Sequence, residues 1–326
     1  MAVQVIRLDS PQKLKAPAVA VGTFDGMHAG HSAVLEVVRE TAASRAGVSV
    51  AVTFHPHPRQ VLQPDAAPGV LTTLSEKEWR ANALGIDVLA VVSFDAALRR
   101  LTPEQFVRDF LVERLGAETV VVGYDHEFGK DRSGNLETMQ RLGDELGFNV
   151  LSVAPTLVDG APISSTRIRS LIGEGDLMGA ARLLDCFYPV AGKVVAGDRR
   201  GRELGFPTAN VEIDDRHKVL PPHGVYAARA HLPEPKSLYE SPGGSHDAVV
   251  NIGVRPTFAG KGERVEAHLL DFQGDLYGST VVLELINHIR GEQAFAGPEP
   301  LKHQIGQDIA AAREILTRDV VTQIRR

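Results

Sequence analysis

Gly22-Thr23-Phe24-Asp25-Gly26-Met27-His28-Ala29-Gly30-His31 sets two histidines among glycines where a strand turns into a helix. Val19 to Val21 read as a short buried strand, and Ala33, Val34, Val37, Val38 and Ala42 recur at helical spacing until Gly47 ends the pattern. The turn between them therefore sits at a helix N-terminus, where unpaired backbone N–H groups and the helix dipole favour an anion. Glycine lets the backbone approach a phosphate without a Cβ in the way. Each imidazole can add an N–H donor, and hydrogen bonds to charged groups contribute about 1.5–3 kcal/mol apiece. The plain alternative is two surface histidines on an ordinary turn, set against the flanking Gly22, Phe24, Asp25 and Gly26.

Working outward, short apolar strands alternate with amphipathic helices through the first half, the pattern of an α/β domain with a parallel sheet. Val48 to Phe54, Val88 to Val92, Thr119 to Val122 and Val150 to Val153 are further strand candidates. Ser75 with Glu78 reads as a capping box, and Thr102 before Pro103 as a second helix start. Ligands of such sheets bind at the carboxyl ends of strands. The Gly22 loop, His55-Pro56-His57-Pro58 and Gly123-Tyr124-Asp125 all follow strand ends. After Cys186 the texture changes to short strands separated by Gly and Pro: Val190 to Val195, Gly224 to His231, Ala248 to Ile252, Val265 to Phe272 and Thr280 to Ile289. That is the signature of a mainly antiparallel β-barrel or sandwich. A helix from Glu299 to Asp319 carries Leu301, Ile305, Ile309, Ala312 and Leu316 at helical spacing and is expected to pack on the barrel. Pro233 to Ser245 is rich in Pro, Gly and Ser and reads as a mobile loop. The expected domains are residues 1–186 and 187–326.

Composition bounds the rest. A chain of 326 residues with 43% hydrophobic content can bury two cores. A net charge of -6 gives no general pull toward nucleic acid or anionic membrane, so phosphate binding must come from local sites. The N-terminus lacks a long apolar core, and no run is long enough to span a bilayer. The expectation is a cytoplasmic protein with small-molecule partners and neither a nucleic-acid nor a membrane partner, as a monomer or transient homo-oligomer. The single Cys186 excludes an internal disulfide and a multi-thiolate metal site, and reads as core packing.

Three further segments carry chemistry. In Ile163-Ser164-Ser165-Thr166-Arg167-Ile168-Arg169 the hydroxyls suit helix capping. The arginines oppose the helix dipole unless an anion compensates, so the segment reads as a polyphosphate clamp. Gly201-Arg202-Glu203-Leu204-Gly205-Phe206-Pro207-Thr208-Ala209-Asn210 joins glycines, a rigid proline, a hydroxyl and an amide in one loop. Thr208 and Asn210 offer hard oxygen ligands of the kind magnesium accepts, although such a turn can also be purely structural. Along Val265-Glu266-Ala267-His268-Leu269-Leu270-Asp271-Phe272, Glu266 and His268 share one face and the apolar residues the other, which by itself means no more than a solvated barrel exterior.

The Gly22 to His31 and Ile163 to Arg169 segments resemble the nucleotidylyltransferase superfamily, whose His-x-Gly-His and Ser-Ser-Thr motifs hold the ATP triphosphate. Thr53-Phe54-His55-Pro56-His57-Pro58-Arg59 and Val121-Val122-Gly123-Tyr124-Asp125 narrow the resemblance. With the second half included, the whole chain is similar to the bacterial bifunctional riboflavin kinases/FAD synthetases. The resemblance implies a Rossmann-like adenylyltransferase domain followed by a riboflavin kinase barrel, with magnesium and ATP serving both. Riboflavin would become FMN and ADP, then FMN and a second ATP would become FAD and pyrophosphate. It implies catalytic roles for His28, His31 and Arg169, and ATP contacts from Gly22, Phe24, Asp25, Gly30, Ser164, Ser165 and Thr166. His57 and Asp125 would meet flavin, although a histidine between prolines can be merely exposed and a loop aspartate often makes a turn. In the kinase half it implies ATP contacts from Gly201 and Thr208, magnesium at Thr208 and Asn210, Glu266 as base, and flavin near Arg290 and Phe295. Asn251 to Phe258 and Gly224 to Ala227 match further family segments. Two positions depart: His55 stands where the family more often has glutamate, and His126 where phenylalanine is usual. A kinase with a degenerate adenylyltransferase module, or a flavin-binding regulator without turnover, are the alternative readings.

Overall fold

The computed structural model describes all residues except 1, 65, 125–127, 130–132, 198–200, 202–203, 233–243, 258–259 and 318–326, and the side chains of 255–257 and 260–262. The chain divides into two compact units, Met1–Ser165 and Thr166–Arg326. No helix among the described residues is long and apolar enough to cross a membrane.

In the first unit six parallel strands form one sheet: β1 (Gln4–Arg7), β2 (Ala18–Val21), β3 (Ser49–His55), β4 (Val88–Ser93), β5 (Thr119–Gly123) and β6 (Asn149–Val153), in the order β1-β4-β3-β2-β5-β6. The central strands are continuous apolar runs because both faces are covered. Successive residues point to opposite faces, so Val19, Val21, Val50 and Val52 enter one core cluster while Ala18, Ala20 and Ala51 enter the other. Helix α1 (Ala29–Ser44) supplies Leu35, Val38 and Ala42 to the second cluster. Short α2 (Pro58–Leu62) and α3 (Leu74–Ala83) follow, then α4 (Pro103–Phe106), which runs on into a π-helical stretch, Val107–Leu115, and α5 (Leu136–Leu146). The last two helical segments and α5 line the first cluster through Phe106, Phe110, Leu111, Leu115, Met139 and Leu142. Neighbouring β2 and β5 feed connections that leave in opposite directions. That is the switch point of the sheet, the place where ligands of such sheets bind at the carboxyl ends of the strands.

Two local readings change and a third holds. The β1 strand was not among the candidates, because an edge strand with three of its four residues exposed shows no apolar run. The α3 capping box is Thr73 with Glu76, not Ser75 with Glu78: Glu76 Oε2 accepts the Thr73 N–H at 2.8 Å and Thr73 Oγ1 accepts the Glu76 N–H at 3.4 Å. Both frames read Ser/Thr-x-x-Glu, and the buried pair is the one that caps. The Thr102 and Pro103 helix start is as expected.

The second unit holds α6 (Ser165–Glu174), whose first residue closes the first unit, and α7 (Leu177–Leu184). Six antiparallel strands then close a barrel: β9 (Tyr188–Val195), β10 (Ala209–Ile213), β11 (Gly224–Leu232), β12 (Gly244–Thr257), β13 (Gly260–Leu269) and β14 (Thr280–Gly291), in the order β10-β13-β12-β11-β14-β9 with β9 returning to β10. A two-stranded ribbon, β7 (Leu157–Val158) with β8 (Ala161–Pro162), precedes α6. Helix α8 (Pro298–Thr317) places Ala312 and Leu316 against Ala227 and Ile286, with Ala181 of α7 in the same cluster. The strand β10 begins inside the segment read as a loop, since Pro207 precedes it and only Val211 of its five residues is fully buried. Gly244 and Ser245 pair with Leu232 and His231, so the expected mobile loop loses its end to β12, and its residues 233–243 lie outside the described residues. The β13 strand stops at Leu269, with Asp271 in the left-handed region at φ 56.

Candidate functional site

In the first unit the loop after β2 is a strained turn held from several sides. Phe24 (φ 46), Gly26 (φ 93) and Met27 (φ 41) all lie in the left-handed region. Such conformations cost about 1–3 kcal/mol each for residues other than glycine and persist only when the surroundings impose them. Here the surroundings are explicit. Asp25, 2% exposed, accepts the N–H groups of Leu71 and Thr72 on Oδ1 at 2.7 and 3.2 Å. The Thr72 hydroxyl accepts the Gly26 N–H at 2.9 Å and donates to the Phe24 carbonyl at 3.1 Å. Ser165 Oγ, at the end of the first unit, donates to the Asp25 carbonyl at 2.9 Å. On the far side, buried Lys77 donates to Thr53 Oγ1 at 3.2 Å, and Thr53 Oγ1 donates to the Thr23 carbonyl at 3.1 Å.

The turn delivers His28 as the N-cap of α1, where Nδ1 accepts the His31 N–H at 3.4 Å. An accepting Nδ1 makes Nε2 the N–H nitrogen of the neutral ring. The two imidazoles stack with centroids 3.7 Å apart and planes at 17°, and Phe24 meets the His31 ring edge-on at 5.3 Å. Close packing explains two glycines: a Cβ on Gly22 would press on the Phe24 ring and one on Gly30 on the His28 ring, each at 3.2–3.4 Å. Gly22, Phe24, Asp25, His28, Gly30, His31 and Ser165 thus form one constellation at the switch-point edge. Ser164 and Thr166 are exposed beside Ser165, and Arg169 stands half-buried on α6. His57 N-caps α2, with Nδ1 accepting the Arg59 N–H at 3.2 Å. His55 ends β3. Asp125 and His126 lie outside the described residues.

In the barrel, Asn210 pairs with Glu266 across β10 and β13, and Glu266 with Asn251 across β13 and β12. Residues directly opposite share a face. Their chain neighbours Val211, Val265, Ala267, Val250 and Ile252 are buried in the barrel, so the polar row faces outward. The same row continues through Val225 to Arg290. The Asn210 amide lies on the backbone of Gly197, where a Cβ would collide with it, and Thr208 sits beside Gly201, whose carbonyl accepts the Phe206 N–H at 2.8 Å. His268 donates from Nδ1 to the Pro207 carbonyl at 2.7 Å, fixing the strand entry. Arg264 Nη2 is hydrogen-bonded to Glu266 Oε1. Arg290 makes a two-point pair with buried Asp308 of α8, at 2.9 and 2.7 Å, and its guanidinium carbon lies 5.8 Å from the Phe295 ring centre. Among the described residues no three His, Cys, Asp or Glu side chains gather as a metal site. The Thr208 hydroxyl and Asn210 amide are hard oxygen donors, a set that suits magnesium because that ion keeps waters and substrate phosphates for its other positions.

Each constellation falls inside a family model. Residues 10–167 match FAD synthetase and residues 184–316 match riboflavin kinase. Over 296 residues the chain is 39% identical to the bifunctional riboflavin kinase/FMN adenylyltransferase of Escherichia coli, covering 91% of each. The chain belongs to that family. The family's representative from Pseudomonas fluorescens is 38% identical, covering 90% of this chain and 91% of the relative. That from Bacillus subtilis is 35% identical over 89% of each. A crystal structure of a Streptococcus pneumoniae protein described as a macrolide-efflux protein superimposes with a TM-score of 0.76 at 28% identity, covering 95% of this chain and 99% of that one. The family's two-domain order accounts for the break in texture near Cys186.

Sequence reading did not find Thr72 or Lys77, which hold the loop after β2, nor Arg264, Gly197 and Asp308 in the barrel; it named Thr53 and Asn251 only as members of family segments, without their partners. Only Arg264 left a signal, its even spacing from Glu266 on a strand; the others are brought in from 13 to 48 residues away.

Proposed function

We propose that this chain makes FMN from riboflavin at the outer face of its barrel and FAD from FMN at the switch point of its parallel sheet, with residues 1–186 serving the second step and 187–326 the first. The observation that carries the reading is the pairing of each family model with one distinct constellation: the stacked His28 and His31 in the first, and the Asn210, Glu266, Asn251 row in the second.

In the kinase step Glu266 accepts the proton of the riboflavin 5′-hydroxyl as its oxygen attacks the γ-phosphorus of ATP. Phosphoryl transfer asks mainly for positioning and charge neutralisation. Thr208 and Gly201 hold ATP, Thr208 and Asn210 would hold magnesium, and Arg290 with Phe295 borders the flavin. Magnesium, when bound with ATP, supplies neutralisation of phosphate charge. In the adenylyl step a phosphate oxygen of FMN attacks the α-phosphorus and pyrophosphate leaves. His28, through its Nε2–H, His31, Ser165 and Arg169 stabilise the charge on these phosphates. Gly22, Phe24, Asp25, Gly30, Ser164 and Thr166 complete the ATP site, and His57 and Asp125 meet the flavin. No protein nucleophile is required. We place the enzyme in the cytoplasm.

Incubation with riboflavin, ATP and magnesium, followed by chromatography over time, tests the reading. FMN rising before FAD is expected. FMN alone would reduce the first unit to a scaffold, and neither product from folded protein would overturn the assignment.

A further inference from the structure

The carboxylate at the centre of the barrel row is engaged by a cation two residues back on its own strand. Arg264 and Glu266 alternate with Val265, so both leave β13 on the outer face. Their ion pair is partly buried, the side chains being 28% and 18% exposed. A pair of this kind on a strand surface contributes little to stability. Its position is more telling: Glu266 stands between Asn210 and Asn251, and Arg264 stands opposite Gly253, over which the Glu292 carboxylate lies.

We propose that Arg264 is a catalytic residue of riboflavin phosphorylation, exchanging its contact with Glu266 for an oxygen of the transferring γ-phosphoryl group. The inference rests on Glu266 being the base. A base must lie about 2.6–3.2 Å from the hydroxyl it deprotonates, and the attacking oxygen about 3–3.5 Å from phosphorus. A guanidinium already hydrogen-bonded to that carboxylate is therefore within side-chain reach of the phosphoryl oxygens. Guanidinium carries five donors in a fork, a geometry matched to both carboxylate and phosphate. In the step, the bond from the 5′-oxygen to phosphorus forms, the bond from phosphorus to the ADP oxygen breaks, and the hydroxyl proton passes to Glu266; Arg264 stays charged throughout. The exchange uncovers the carboxylate as the proton must be taken and brings positive charge to the group that spreads negative charge in the transition state. It also offsets the repulsion between Glu266 and the triphosphate. An arginine supplied in this way to other phosphoryl transfers is worth about 10³–10⁵ in rate.

Arg264→Gln, Arg264→Lys, Glu266→Gln and the double variant Arg264→Gln/Glu266→Gln separate the possibilities in the full-length chain. Expected for Arg264→Gln is a fall of at least about 10²-fold in kcat for FMN formation with the riboflavin KM changed by less than about threefold, since the contact is made in the transition state. Arg264→Lys should recover about tenfold of that loss. Binding of ADP with aluminium fluoride and riboflavin, a mimic of the transferring group, should weaken by a similar factor in Arg264→Gln while ADP alone binds as before. The double variant must be slower than Glu266→Gln. If Arg264→Gln costs nothing in that background, Arg264 acts only through Glu266 and the proposal is wrong; a kcat that is unchanged or raised in the single variant overturns it equally. If instead Glu266→Gln retains full kinase rate, the assignment of the base fails, whereas weakened binding of the mimic still reports on Arg264.

Discussion

Thr72→Val removes one hydroxyl and almost no volume, yet it should disable FAD formation. Thr72 is 4% exposed, and its Oγ1 both accepts the Gly26 N–H and donates to the Phe24 carbonyl. Valine satisfies neither. A buried donor or acceptor left without its partner costs about 1–3 kcal/mol, so the two together cost about 2–6 kcal/mol. The loss falls on a turn whose Phe24 and Met27 already occupy the left-handed region, so relaxation of the turn is the expected response. The same turn delivers His28, and a shift on the order of 1 Å in a catalytic group can cost about 10²-fold in rate. The assay is the initial rate of FAD formation from FMN and ATP, set against FMN formation from riboflavin by the same preparation and against thermal unfolding. A loss of about 2 kcal/mol lowers Tm by about 4–8 °C in a unit of this size. Retention of FAD formation within about twofold of the parent, at unchanged Tm, would refute the claim that Thr72 holds the loop.

Further outcomes are expected. His28→Asn keeps an N-cap acceptor for α1 but lacks the distal imidazole N–H, so FAD formation should fall about 10²–10³-fold in it as in His28→Ala, with FMN formation intact; a wild-type rate in the asparagine variant would reduce His28 to a cap. Gly197→Ala drives a methyl into the Asn210 amide, and FMN formation should drop by at least about tenfold while FAD formation from supplied FMN persists. An unchanged kinase rate there would show that Asn210 is not needed where it stands. Burial pushes the Tyr226 hydroxyl, a donor to the Pro222 carbonyl, up to about 12. Its proton is held more tightly folded than unfolded, where the value is about 10. The stability it contributes is therefore complete below about pH 10 and is lost as pH rises toward 12. Urea midpoints across that window should fall more steeply for the parent than for Tyr226→Phe.

The strands β2 to β5 and the barrel strands other than β10 were legible because buried runs and alternation are local patterns, set by which faces of a strand meet a core. Two strands were not: the edge strand β1 has three exposed residues in four, and β10, paired on both sides in the closed barrel, has one buried residue in five, so neither has a run to read. Of two overlapping Ser/Thr-x-x-Glu frames the structure uses Thr73 and Glu76, a choice made by burial against the sheet rather than by the motif.

The sites divide in the same way. Two glycine-flanked histidines, a Ser-Ser-Thr-Arg segment, a Pro-Thr-Ala-Asn segment and an outward glutamate were fixed by residue type and short spacing, and they were enough to point to two phosphate-handling sites and to the family. Tertiary structure alone brought Thr72 under Gly26, set Asn251 beside Glu266 and joined Arg290 to Asp308. Those contacts depend on strand register, barrel closure and helix docking. Each is settled by the packing of distant segments against one another, and distance along the chain carries no trace of that packing.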